Sequence, residues 1–335
     1  MSFNNFKFSK TGFFFSFIII ILLLLIISII SLARGSVYIS NKEIWLAILQ
    51  QGDEINRTII WNLRLPRLIA SLLVGSSLGM SGALLQGMLK NGLASPYLLG
   101  ISAGSGLVIV CFISFGLLQS FIPFAAWIGA ILTTLMVFIL SRDGNKIVVE
   151  RLVLGGVAIS SLFGAIQATL LLQVEDGRIQ AALNWLIGSL NARGWQEIKF
   201  AAIPILIALL IGLFLSRQLN LLSLGDELSV SLGNSLLRSR CLIGAIATLL
   251  TACAVSIGGL IGFIGLIVPH FSRLIIGNDF KYILPFSALI GALTLSSADL
   301  LSRLGPIEIP VGIVTALVGA PVFMIILYKK RNYKK

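Results

Sequence analysis

Ten apolar runs, most of them close to twenty residues long, recur along this chain at about 12–33, 68–88, 97–117, 121–141, 152–173, 200–216, 241–259, 260–277, 282–302 and 309–328. A helix rises about 1.5 Å per residue, so about 20 apolar residues cross a hydrocarbon core about 30 Å thick. Lipid-facing positions need no polar group, but each backbone N–H and C=O must be satisfied within the protein. The runs therefore predict an all-α membrane protein of about ten transmembrane helices, forming one domain over residues 1–335. The run at 12–33 is longer than the 7–15 residues of a signal h-region, so it is expected to stay as the first helix. The two runs meeting at Gly258-Gly259 read either as two spans or as one span plus a re-entrant segment.

Composition agrees with this solvent. Of the 335 residues, 57% are hydrophobic and 11% charged, against about 25% charged in a soluble domain. The net charge of +12 raises the question of nucleic acid. The basic residues are scattered between apolar runs instead of forming a patch interleaved with aromatics, which excludes that partner. An even number of spans puts both termini on one side, and the excess of Lys and Arg in cytoplasmic loops chooses which. With the N-terminus inside, sixteen basic residues, from Lys7 and Lys10 to Lys334 and Lys335, and five acidic residues fall in the cytoplasm. That is a net +11 inside against +1 outside, so both termini are expected to be cytoplasmic. Three connections are long enough for a role of their own: 34–67 and 174–199 outside, and 217–240 inside.

Several chemistries are missing. No G-x-x-x-x-G-K-[ST] occurs and no Gly precedes a Lys, so the chain has no P-loop and any ATP-driven step belongs to another subunit. Asp299 is the one acid inside a predicted span, whereas carriers coupled to protons or sodium usually hold ionisable groups in mid-bilayer. That argues against a carrier working alone. His270 is the only histidine; one histidine makes neither a metal site nor a catalytic dyad, and it reads as a capping or interface residue. Cys111, Cys241 and Cys253 lie far apart in or beside apolar segments and read as packing residues. With the acids dispersed among loops, an integral-membrane enzyme finds no cluster to work with. No bound cofactor or metal is expected.

Seven segments carry a resemblance. RLPR (64–67), GALLQG (82–87), NGLASPYLLGISAG (91–104), NWLIGSL (184–190), GLIGFIGLIVPH-x-x-R (259–273), AD-x-x-x-R (298–303) and E-x-PVGIVTALVGAPVF (308–323) follow one another in order. Together they resemble the FecCD-like permeases, over about residues 60–328. The resemblance implies a permease of the cobalamin and siderophore ABC importer fold in the bacterial plasma membrane. Its cargo would be a ferric siderophore, haem or cobalamin, with the siderophore class favoured. Its partners would be a second copy or a sister permease, a cytoplasmic ABC ATPase, an extracytoplasmic substrate-binding protein and membrane lipid. Gly92 stands where the family usually has Pro, which loosens the turn after the second span.

Three sets of residues are expected to carry function. Arg64, Arg67 and Arg303 lie outside in this topology, near the ends of spans two and nine. A guanidinium grips a carboxylate bidentately, and the resemblance implies that these arginines receive glutamates of the binding protein. Interfacial anchors snorkelling to lipid headgroups are the alternative. In the 217–240 loop, Gly225, Asp226 and Glu227 open a short helix, where acids suit the dipole. Leu228 and Leu232 share one face of it at i, i+4, Gly233 follows, and Arg238 and Arg240 close the loop. The resemblance makes this the helix that couples to the ATPase; a solvated amphipathic turn is the alternative. Ser160, Ser161, Gly164, Gln167 and Thr169, in the fifth span, suit a weakly attractive conduit, as the resemblance implies, or simply bond across helices. The many glycines let helices approach closely or mark broken backbone beside a pathway.

Overall fold

The computed structural model describes residues 10–332, apart from 36, 98, 118–120, 145, 175 and 306. Lys7, Lys334 and Lys335, and Leu98 within the NGLASPYLLGISAG stretch, lie outside the described residues. The chain begins with α1 (Lys10–Ala33), an unbroken Phe/Ile/Leu helix that buries very little of its surface. Next come α2 (Asn41–Ile48), started by a capping box between Ser40 and Glu43, and α3 (Glu54–Thr58), capped by Asp53. A π-helical turn (Ile59–Arg64) joins α3 to α4 (Leu65–Met88). The helical stretch that forms span two thus runs from Glu54 to Met88, well ahead of the apolar run at 68. Arg64 and Arg67 sit inside it, not in the connection before it. Charge hid the start of the helix, because a hydropathy pattern ends at Arg where a helix need not.

After α4 come α5 (Ile101–Ser114), α6 (Ile122–Ser141), a two-stranded hairpin over 142–147, and α7 (Val149–Leu171). The expected outer connection at 174–199 holds α8 (Asp176–Ile187), which leads to α9 (Trp195–Phe214). The loop over 217–240 is mostly helical: α10 (Ser216–Ser223), α11 (Asp226–Ser231) and the first turns of α12 (Leu236–Gly258). Arg238 and Arg240 therefore stand on α12 instead of closing a loop before it. α13 (Ile264–Ile276), α14 (Phe280–Ser302) and α15 (Val311–Asn332) complete the chain.

Among the described residues seven helices are long and apolar enough to cross a membrane, and three shorter apolar helices, at 101–114, 264–276 and 311–326, fall in the remaining runs. The run at 260–277 is not a full span. With 13 residues, α13 is about 20 Å long against about 30 Å of hydrocarbon. The break before it is built from Gly259 at φ +73° and Phe263 at φ +66°. A Cβ at Gly259 would stand 2.3 Å from the Trp185 carbonyl, so only glycine fits there. The freed backbone is satisfied by the end of α8: Leu260 N–H donates to Trp185 O (3.0 Å) and Ser189 N–H to Gly258 O (2.9 Å). Irregular backbone at membrane depth requires such partners.

The centre of the bundle is α4, packed on α12, α13 and α14. Gly75 and Gly79 meet Gly291 and the Ser287 carbonyl so closely that a Cβ at Gly75 would lie 2.3 Å from Gly291 O. The register (75 with 291, 79 with 287) makes α4 antiparallel to α14. The Phe13 ring lies tilted against Tyr282 and Ser31 meets Arg303, so α1 runs parallel to α14. These pairings define two ends. Residues 31–35, 37, 64–67, 188–197, 299–305, 307 and 308 gather at one, which we call the arginine end. Residues 90, 142–144, 146, 147, 216–240 and 279–282 gather at the other, with the start of α1. Between the ends, exposed Phe14, Ile19, Leu22, Leu132, Leu135, Ile139, Leu206 and Leu210 face outward, as lipid contact demands.

Candidate functional site

At the arginine end, the end of α1, the π-helical turn, α4, α14 and the segment before α15 bring together side chains up to 272 residues apart. Arg67 Nε donates to Asp299 Oδ1 (2.9 Å), and its Nη1 pairs with Glu308 Oε1 (2.5 Å). Arg303 Nη2 pairs with Asp299 Oδ2 (3.1 Å) and donates to Ser31 Oγ (2.6 Å). Arg64 Nη1 donates to the carbonyls of Leu32 (2.6 Å) and Ala33 (3.0 Å), and its Nη2 to Val37 O. Arg64 also lies close enough to Arg303 for their charges to interact. Asp299 is 1% exposed, while the Glu308 side chain is 35% exposed. A carboxylate buried so completely is tolerable only because two guanidiniums face it.

The three arginines expected to dock a partner thus converge, yet all three are largely buried and engaged inside the chain. Three guanidiniums meet two carboxylates, and Arg64 is held by neutral carbonyls, so the cluster keeps a net positive charge. Beside it, a cavity of about 500 Å³ is lined on its polar side by Gln180, Asn184, Asn191, Arg193 and Glu308. Arg193 Cζ lies over the Trp185 ring, 4.0 Å from its centroid, a cation–π contact. The sequence reading missed Asp299 and Glu308 as partners of the arginines. The signal was available in AD-x-x-x-R, which sets Asp299 and Arg303 at i, i+4 on one helix face.

At the other end, α11 exposes Leu228 and Val230, and Leu224 just before it and Leu232 at its C-cap are exposed too. Leu228 and Leu232 do share an outward face. Gly225, at φ +113°, turns the chain into α11, and Gly233, at φ +80°, turns it out. Glu227 and Arg238 face solvent, whereas Asp226 and Arg240 turn inward. Lys90 Nζ reaches Asp226 Oδ1 (2.7 Å), and Arg240 Nη2 reaches both carboxylate oxygens (3.0 and 2.9 Å). Partial burial pushes the Asp226 carboxyl up, but the bonds from Lys90 and Arg240 outweigh it and hold it below the usual carboxylate range. After α4, Leu93 N–H donates to Asn91 Oδ1 (2.9 Å) and Ala94 N–H to Asn91 O (3.1 Å). An Asx turn thereby supplies the rigidity that Gly92 lacks.

The five residues expected along a pathway divide. Ser161, Gly164 and Thr169 lie on an exposed face of α7; a Cβ on Gly164 would meet nothing within 4 Å. Ser160 instead lies beside Gly100 on α5's side, and Gln167 Nε2 donates to Ala103 O (3.0 Å). α7 itself buries only Leu152, Gly156 and Ile159.

The FecCD transport family model matches residues 22–329. The chain belongs to that family. It is 40% identical over 307 residues to the Fe(3+)-citrate import system permease protein YfmE of Bacillus subtilis, covering 90% of this chain and 91% of that one. It is 39% identical over 284 residues to the hemin transport system permease protein HmuU of Yersinia pestis, covering 82% and 85%. A solved inward-facing conformation of a metal-chelate type ABC transporter superposes with a TM-score of 0.85 at 33% identity, over 93% of this chain and 98% of that one. Two of the FecCD motifs find each other in the fold. Arg273, of VPH-x-x-R, donates to the Gln86 side chain of GALLQG, and Gln86 Nε2 donates to Leu266 O (3.0 Å) at the start of α13. That pairing ties the short helix α13 to α4.

Proposed function

We propose that this chain is the membrane-spanning permease subunit of a binding-protein-dependent ABC importer, and that it moves an iron chelate of the ferric siderophore class into the cytoplasm by alternating access. The observation that carries the reading is the separation of two differently built ends on one family scaffold. One end concentrates three guanidiniums around two carboxylates; the other offers an exposed apolar helix face.

The arginine end is the extracytoplasmic end in this reading, and Arg64, Arg67 and Arg303 receive carboxylates of the substrate-binding protein. Their surplus positive charge supports that role, since complementary charge steers and registers a partner. Leu228 and Leu232 of α11 seat in the ATPase, which hydrolyses ATP on a separate chain. The start of α1 lies at the same end as α11, and α15 starts at the arginine end and runs away from it, in line with cytoplasmic termini. Because α7 presents Ser161, Gly164 and Thr169 on an open face, a second copy or a sister permease opposite it would enclose a conduit of small side chains. Relatives of nearly equal identity are named for iron citrate and for hemin. Overall similarity therefore does not choose the cargo, and haem and cobalamin stand as the alternatives.

Uptake of labelled ferric siderophores, ferric citrate, haem and cobalamin by cells with and without the chain, at low iron, tests the reading. One cargo should depend both on this chain and on its ATPase. Arg64→Glu with Arg303→Glu should abolish that uptake while the protein still inserts. Uptake unchanged by loss of the chain for every cargo would refute the importer reading, and normal uptake by the double variant would refute the docking role.

A further inference from the structure

A single buried guanidinium joins the exposed helix α11 to the root of α7. α11 buries only Ser229 of its own residues, so packing alone holds it weakly. Its charged attachment is Asp226, bonded by Lys90 and by both oxygens to Arg240; a neutral one runs from Ser229 through Asn234 to Ser239 of α12. Arg240 is 4% exposed, and its other terminal nitrogen, Nη1, donates to Ile147 O (2.9 Å). Ile147 is the last residue of the hairpin, paired with Arg142, and Val148 N–H donates back to Ser141 O (2.9 Å). One residue further on, α7 begins at Val149. Lys90, the second attachment, lies just after α4 on the turn that leads to α5.

The chemistry of the hub is specific. A guanidinium offers a planar fork of donors that can hold a carboxylate and a carbonyl at fixed angles together; a lysine ammonium holds the charge but not that geometry. α7 packs on α5 and α6, with Gln167 Nε2 bonded to Ala103 O (3.0 Å), and the Arg240 bond to Ile147 O fixes the end from which it starts.

We propose that Arg240 is the positioning residue that transmits displacement of α11 to α7, through Asp226 on one side and the Ile147 carbonyl on the other, with Lys90 carrying the same displacement to the segment before α5. This deepens the importer reading and rests on it in taking α11 as the ATPase-facing helix. When the ATPase shifts α11, the Asp226–Arg240–Ile147 chain moves the hairpin and swings the open face of α7. With the chain cut, ATP is still hydrolysed but α7 stays in place.

The test uses the permease purified with its ATPase in lipid nanodiscs, with Cys111, Cys241 and Cys253 replaced by Ser and Gly164→Cys as reporter. Labelling by a membrane-impermeant maleimide is compared between the nucleotide-free and the ATP-vanadate-trapped complex, alongside ATP hydrolysis. In the parent the labelling rate at position 164 should change on trapping. In Asp226→Asn and in Arg240→Lys that change should shrink about fivefold or more, the lower end of typical site-to-site coupling, while hydrolysis continues. The Asp226→Asn, Arg240→Lys double variant should be no worse than either single one, as expected of residues acting as a unit. Asp226 is half-exposed and its Asn variant keeps the shape, so it stays informative even where Arg240→Lys assembles poorly. A parent with no ATP-dependent change at position 164, or an Asp226→Asn variant with the full change, would overturn the proposal. A merely structural role predicts that labelling and hydrolysis fall together, and that result would overturn it too. Leu228→Glu with Leu232→Glu separates the underlying reading: retention of the ATPase by that variant refutes α11 as the ATPase-facing helix, whatever Arg240 does.

Discussion

Gly82→Ala adds one methyl group where α4 crosses the start of α13, and the structure fixes what that methyl meets. An ideal Cβ would stand 1.9 Å from Gly265 O, 2.6 Å from its carbonyl carbon and 2.7 Å from its Cα. Ordinary carbon–oxygen contacts lie at about 3.3–3.6 Å, so the two helices must part by roughly 1.4 Å. A gap of about 0.5–1 Å already forfeits a quarter to a half of the dispersion well at each contact. Parting also strains the Gln86 bond to Leu266 O, worth about 1 kcal/mol, which the better helix propensity of Ala, about 1 kcal/mol, roughly offsets. What remains is the overpacking cost, about 1–3 kcal/mol. Gly164→Ala is the matched control, because its Cβ meets nothing within 4 Å. Thermal unfolding in nanodiscs at one scan rate, needed because such unfolding is often irreversible, should show Gly82→Ala several degrees below the parent and Gly164→Ala level with it or above. Equal stability of Gly82→Ala and the parent would refute the close-approach argument; an equal loss from both variants would refute the assignment of α7's face as open.

Asp299→Asn removes the charge between Arg67 and Arg303, and breaking one side of a buried ion pair costs about 3–5 kcal/mol. Glu308→Gln, on the half-exposed partner, should cost no more than about 1 kcal/mol; denaturant unfolding in detergent compares the two. Asp226 gives a pH signature. Its folded-state carboxyl lies below its unfolded value, so the stability it contributes is complete above the ordinary Asp range, about pH 4, and is lost as pH falls through the depressed value. The advantage of the parent over Asp226→Asn should stay constant from neutral pH down to about pH 5 and shrink below about pH 4. A difference independent of pH would show that Asp226 acts through shape and not charge.

Much of this protein was legible as a string of letters because the bilayer is an unforgiving solvent. Ten apolar runs correspond to seven long helices and three shorter apolar ones, and the seven motifs lead to the family that the whole-chain comparison returns. Gly258-Gly259 read as a place where a span might break, and it breaks there. Helices without an apolar run were not legible. α2, α8 and the early turns of α12 are amphipathic or charged; a capping box starts α2, and α8 and α12 are held by packing on their neighbours.

Residue roles divided along the same line. The sequence by itself determined the solvent, the helical class, the family and the residue types at each end, since these follow from hydropathy and local order. Only the tertiary structure decided who meets whom. Arg67 finds Asp299, 232 positions away, Arg240 finds Ile147 O, 93 positions away, and Gln86 finds Arg273, 187 positions away. Such partners are chosen by how helices cross, and the crossing depends on which glycines face each other, a property of pairs of surfaces that no single segment carries.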